Sequence, residues 1–174
     1  VFTSDHGEML GDHGLTRKGC RFYDSLVRVP LLWAWPGRFK EGMVSDALVE
    51  LTDIAPTLLA IAGLDTPRRM QGRSLMPILE GKVLANHHRD YVRSEYYSCH
   101  SDGQQGGSCI FGTMYRDKRW KLVLYHGYPI GEMYDMENDS NEFNNLWEHP
   151  KYQDVRNRLI KESFDASVLA VDVG

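Results

Sequence analysis

The chain opens on Val1, Phe2 and Thr3 and turns at once through Ser4-Asp5-His6-Gly7. An apolar run cut off by small polar residues reads as the end of a buried strand, and in α/β folds the loops that carry function leave the sheet at such ends. A second apolar run, Val29 to Trp35, closes on Pro36-Gly37 and reads as another strand of the same sheet. Leu48 to Leu51 fits a short third strand.

From Thr52 the period changes. Thr52 or Asp53 can cap a helix with Pro56 in its first turn, Ile54, Leu58, Leu59 and Ile61 supply its apolar faces, and Gly63 stops it. Residues 64 to 90 read as irregular connection with one short helix near Leu75 to Leu79. The glycine-rich, polar stretch His100 to Ser108 reads as an exposed, mobile loop. Three short strands follow, Phe111 to Tyr115, Trp120 to Tyr125 and Glu132 to Tyr134, with turn residues between them that suggest an antiparallel meander. Pro150 then opens a final helix with Tyr152, Val155, Leu159, Ile160 and Phe164 on one face. The fold class expected is α/β: part of an α/β sandwich over residues 1–90, then an antiparallel-sheet subdomain with a terminal helix over 91–174. A sheet lacking its neighbours should expose apolar edges.

Twenty lysines and arginines against 24 acidic residues leave a formal charge of −4, which argues against nucleic acid or an anionic membrane as the main partner. No apolar run approaches the ~20 residues of a membrane-spanning helix. The opening VFTSDHGEML lacks the basic and apolar regions of a signal peptide, although one could precede a chain that starts inside a strand. Cys20, Cys99 and Cys109 are widely spaced and form no C-x-x-C pair, so they read as unpaired thiols, with a Cys99–Cys109 bridge across the glycine-rich loop as the alternative.

Asp5 and His6 stand side by side at a strand end, where a carboxylate oxygen and an imidazole nitrogen can reach one divalent cation. Lys18, followed by Gly19, lies twelve residues beyond the histidine. On its own such a pair is more often a capping aspartate beside a satisfied histidine. The surroundings shift the balance. TSDHGEMLGDHGLTRKG and FYDSLVRVPLLWAWPG closely resemble the sulfatase signature, in which a strand ends in S-D-H-G, a loop passes through G-D-H, and Lys-Gly follows. LVELTDIAPTLLAIAGL, GRSLMPILEG, MYRDKRWKLVLYH and GEMYDMENDSNEFNNL resemble later sulfatase segments in the same order.

That resemblance implies an alkaline-phosphatase-like sandwich with a C-terminal subdomain. It makes Asp5 and His6 metal ligands, for calcium by preference, with manganese or magnesium as substitutes. It makes Lys18 a catalytic and substrate-binding residue that contacts sulfate oxygens. A sulfuryl transition state spreads negative charge over oxygens that a cation and an ammonium can stabilise. His13, in Gly11-Asp12-His13-Gly14, is placed either to hydrogen-bond substrate or to serve structure.

The family's nucleophile is a formylglycine made from cysteine in C-x-[P/A]-x-R. Here Cys20 is followed by RFYD, Cys99 by HSDG and Cys109 by IFGT. The expectation is therefore a C-terminal portion of an enzyme acting on small sulfate esters, inactive alone. The alternatives are a phosphonate or phosphate ester hydrolase of the same superfamily and a non-catalytic binding module.

Other residues have plainer readings. Arg17 reads as a surface charge, Arg28 as a partner of a carboxylate, and His87-His88 as loop. Arg93 to Tyr97 reads as a strand end able to line a pocket. Trp33, Trp35, Trp120 and Trp147 read as packing. The acidic run Asp135 to Glu142 lacks EF-hand spacing and reads as a solvated turn that starts a short helix.

Overall fold

The computed structural model describes residues 1–99 and 109–170, so the His100 to Ser108 loop lies outside the described residues. The C-terminal half is a four-stranded antiparallel sheet in the order β3-β4-β5-β6, with β3 Val92–Cys99, β4 Cys109–Arg116, β5 Trp120–Tyr125 and β6 Gly131–Asp135. The meander thus has one strand more than the three expected. β3 (VRSEYYSC) mixes charged and aromatic residues rather than alternating cleanly, so only its Arg93 to Tyr97 stretch hinted at a strand.

Register decides which way each side chain faces, because successive residues of a strand point to opposite faces. Tyr115, Leu122 and Met133 are cross-strand partners and pack against Leu159 and Ala166 of α4, Gln153–Leu169. Met114 and Val123 are partners on the other face, where with Tyr125 they meet Cys20 and Phe22. A sheet covered on both faces buries nearly every residue of its central strand, and in β5 only Leu124 is less than buried. Gly112 allows the close approach: a Cβ there would lie 2.8 Å from Cys20 Sγ and from the Phe22 ring.

A 3-10 turn, Pro150–Tyr152, leads into α4, and proline is suited to that first turn because its missing N–H has no helical partner to lose. The buried stripe of α4 is Leu159, Ser163 and Ala166, with Tyr152 and Val155 packed alongside. Phe164 is a correction: expected on this face, it is 68% exposed. Five residues beyond Leu159, it sits ~140° round the helix.

In the N-terminal half, β1 Phe2–Thr3 pairs antiparallel with β2 Leu31–Leu32. The strand expected over Val29 to Trp35 shortens to two residues; Pro30, which cannot donate to a ladder, stands just before it. Phe2 and Leu32 are 65% and 57% exposed, so the expected burial of this strand fails while the expected apolar edge is present.

The third strand over Leu48 to Leu51 does not form. Glu50 and Asp53 instead make a capping box on the 3-10 turn Leu51–Asp53, the Glu50 N–H donating to Asp53 Oδ2 at 2.9 Å. That turn runs into α2, Ile54–Ile61, with Asp53 at its N-cap position, one of the two expected, although the Asp53 side chain bonds back to Glu50 instead of capping the helix. Gly63, at φ 71°, ends the segment as expected. A short helix α3, Met76–Leu79, matches the expected position. Asp53 organises the connection that follows: wholly buried, its carboxylate accepts from Arg73 N at 2.7 Å and pairs with Arg89, which also bonds Glu50.

The acidic run is a turn with no helix, and its ends are not solvated. Asp135 and Glu142 are 6% and 4% exposed and pair with Arg119 and Lys121. Among the described residues no helix is long and apolar enough to cross a membrane.

Candidate active site

Asp5 and His6 lie where the chain leaves β1. The His6 backbone N–H donates to Asp5 Oδ1 at 2.9 Å, and Ser4 Oγ donates to the His6 carbonyl at 2.8 Å. That N–H holds the Asp5 carboxyl below its ordinary range, so it is ionised at neutral pH. His6 Nδ1 lies 2.8 Å from the Gly7 carbonyl, a contact that requires the proton on Nδ1 and leaves the Nε2 lone pair free. Nε2 is 3.4 Å from Asp5 Oδ2, and Lys18 Nζ donates to it at 2.7 Å. The three residues singled out from the sequence therefore meet.

The loop between His6 and Lys18 is fastened chiefly to one short element, α1, Asp24–Val27, and to Tyr23 before it. Gly7 N–H donates to the Leu26 carbonyl at 2.8 Å, and a Cβ on Gly7 would fall 1.9 Å from the Ser25 carbonyl oxygen. Met9 is 2% exposed and its sulfur accepts from Ser25 Oγ at 3.3 Å. His13 does not join the other three residues. Its ring stacks on Tyr23 at 3.9 Å and tilts against Phe143 at 5.1 Å, on a left-handed backbone with φ 50°.

α1 is in turn pinned to the C-terminal sheet. Lys121, 0% exposed, donates to Asp24 Oδ1 at 2.7 Å and to Glu142 Oε1 at 2.6 Å. Arg116 bonds Asp24 at 2.9 Å, and Asp24 N–H donates to Glu142 Oε2 at 2.7 Å. Burial would raise the Asp24 carboxyl, but Lys121 and Arg116 outweigh it and hold the group below its ordinary range. Glu142 shares one of those cations without the other, and there burial wins and pushes the carboxyl up. Sequence reading missed this network; its one signal was a lysine amid apolar neighbours in WKLVLY.

The donors fit a divalent cation in part. A separation of 3.4 Å between Asp5 Oδ2 and His6 Nε2 can be spanned by an ion held ~2.2–2.4 Å from each. Among the described residues, no group of three or more His, Cys, Asp or Glu side chains is gathered to hold a metal. Asp5 and His6 therefore offer such an ion two side-chain donors and no more.

The remaining residues fall out as follows. Arg28, 3.8 Å from Asp24 and largely exposed, is a minor partner of that carboxylate. Arg17 is exposed. His88, in a loop, lies 3.4 Å from Asp53. Arg93, Glu95 and Tyr97 border a cavity of about 300 Å³ with Ser167, away from Asp5, His6 and Lys18. Cys20 is a buried free thiol. The backbones of Cys99 and Cys109 are cross-strand partners, but their side chains lie outside the described set. Trp120 is core, whereas Trp35 is 39% exposed under Arg38.

The family model for N-sulphoglucosamine sulphohydrolase, C-terminal, matches residues 11–167. The chain belongs to this sulfatase family. Its sequence is 36% identical over 166 residues to an N-acetylglucosamine-6-O-sulfatase of Bacteroides thetaiotaomicron, an alignment covering 92% of this chain and 28% of that relative. Among solved structures, a 2-O GAG sulfatase superposes with a TM-score of 0.85 at 31% identity, over 97% of this chain and 35% of the other. A phosphonate monoester hydrolase of Agrobacterium radiobacter gives 0.84 at 30% identity, over 99% of this chain and 35% of the other. This sulfatase-family chain therefore spans about a third of the length of the relatives it matches, and its four-stranded sheet with terminal helix is the architecture they share.

Proposed function

We propose that this chain is the C-terminal part of a sulfatase, that the whole protein hydrolyses small sulfate esters, and that Asp5, His6 and Lys18 are its contribution to the active site. The convergence of carboxylate, imidazole and ammonium, with Lys18 Nζ 2.7 Å from His6 Nε2 and Asp5 Oδ2 3.4 Å from it, supports the reading most directly. Asp5 and His6 hold part of the coordination sphere of a divalent metal, calcium by preference, which when bound polarises the sulfate oxygens. Lys18 neutralises charge on the transferring group and donates a proton to the departing alcohol oxygen. The nucleophile, a formylglycine, belongs to sequence outside this chain, which alone is inactive.

The likeness to a phosphonate monoester hydrolase favours a second reading, a phosphonate or phosphate ester hydrolase, since the same three side chains suit either tetrahedral anion. Turnover of 4-nitrophenyl sulfate against 4-nitrophenyl phenylphosphonate by the whole protein tests the choice. The proposal expects the higher kcat/KM on the sulfate and background from this chain alone. A preference for the phosphonate, or turnover by this chain alone, overturns it.

A further inference from the structure

We propose that Lys121 and Glu142 are positioning residues of the candidate site, acting through Asp24 and α1 on the loop that runs from His6 to Lys18. The inference rests on the reading of Asp5, His6 and Lys18 as that site. Three separate contacts fasten the loop to Tyr23 or α1, Gly7 to Leu26, Met9 to Ser25 and His13 to Tyr23, and a further one, His13 to Phe143, reaches the residue after Glu142. α1 itself has only four residues, too few to hold a position by its own hydrogen bonds. What fixes it is the Asp24 carboxylate on Lys121 and Arg116, and the Asp24 N–H on Glu142.

The two carboxylates of this network also flank the rings that grip His13. Tyr23 precedes Asp24 and Phe143 follows Glu142, so the shared Lys121 ammonium sets the gap between the rings. Both ends of the grip carry strained backbone, with φ 50° at His13 and 60° at Glu142. Left-handed conformations at such residues persist only where the surroundings over-determine them. Lys121, buried on the sheet, supplies that constraint, and through it the C-terminal sheet governs the geometry of residues more than a hundred positions earlier in the chain.

The test is Glu142→Gln in the whole protein, held at a temperature where its melting curve shows it folded. Arg17 and Lys18 are exposed in the loop, so limited trypsin cleavage there reports the loop's release without any substrate. The expected result is cleavage roughly tenfold faster than in the wild type, because local opening sets the rate. Turnover should fall unevenly: about tenfold or more in kcat on an alkyl sulfate, whose leaving group needs Lys18, and less on 4-nitrophenyl sulfate, with KM little changed. Unchanged cleavage in the folded variant overturns the proposal, as does an equal loss on both esters. Should Glu142→Gln not fold, Phe143→Ala carries the same expectations, since that ring is 67% exposed and its removal opens no core. If the wild type splits no sulfate ester the functional reading fails, while the trypsin rate still decides whether the sheet holds the loop.

Discussion

Lys18 Nζ lies 2.7 Å from His6 Nε2, while the other imidazole nitrogen faces the Gly7 carbonyl. An ammonium thus stands in the direction of the His6 lone pair, and any metal that takes His6 as a ligand must share the space with it. Lys18→Met should tighten divalent-cation binding by the whole protein, roughly three- to tenfold at low ionic strength, because a neighbouring positive charge is gone. Calorimetric titration with calcium measures this; an unchanged or weaker affinity speaks against a shared seat.

Gly112 offers a sharper test of packing between the sheet and the segment that leads into α1. A methyl at this position would press on Cys20 Sγ and the Phe22 ring at 2.8 Å. Gly112→Ala should destabilise the protein by about 1–3 kcal/mol, the usual cost of overpacking. Urea unfolding gives the number, and a loss under about 0.5 kcal/mol would mean that the two layers are less closely pressed than described.

Asp53 and Arg89 form the charged hub of the α2 region, at 0% and 9% exposure. Arg89→Met leaves a buried carboxylate without its cation and should cost about 3–5 kcal/mol. Adding Asp53→Asn should recover part of that loss, because the uncompensated charge disappears. Denaturant melts of the single and double variants check the order; a double variant less stable than the single one would contradict it.

Acid should weaken the fold through Asp24 and Asp53. Burial alone would raise both carboxyls, but Lys121 and Arg116 at Asp24, and His88, backbone N–H groups and Arg89 at Asp53, hold both below the ordinary value of 3.8. A depressed folded-state value means stability that is complete above the unfolded value and drains away as pH falls through the folded one. Unfolding midpoints should hold steady from neutrality to about pH 4 and fall below it. Asp53→Asn should flatten that acid limb; a limb as steep as the wild type's would show that other groups carry it.

How much was legible in the sequence follows from how local each signal was. β5, Trp120–Tyr125, and α3 could be read because apolar runs and turn residues bounded them on both sides. The trio Asp5, His6 and Lys18 stood in one short stretch whose order carried a family resemblance. Phe164 was misplaced because a face set by Leu159, Ser163 and Ala166 must be counted in turns of helix, not by hydrophobicity alone. Leu48 to Leu51 was misread because the Glu50–Asp53 capping box claimed the backbone. The network of Asp24, Lys121 and Glu142 had almost no local signature, since its members meet only after the sheet has formed. Buried pairs between distant positions are invisible to any reading by period or spacing.

The most direct measurement is the steady-state turnover of 4-nitrophenyl sulfate by the whole protein and by its Asp5→Ala and Lys18→Ala variants. If these side chains serve one tetrahedral anion beside one cation, kcat/KM should fall at least about a hundredfold in each, the scale of losing a single stabilising group at a developing charge. A variant that folds normally and keeps turnover within about threefold of the wild type would contradict the account.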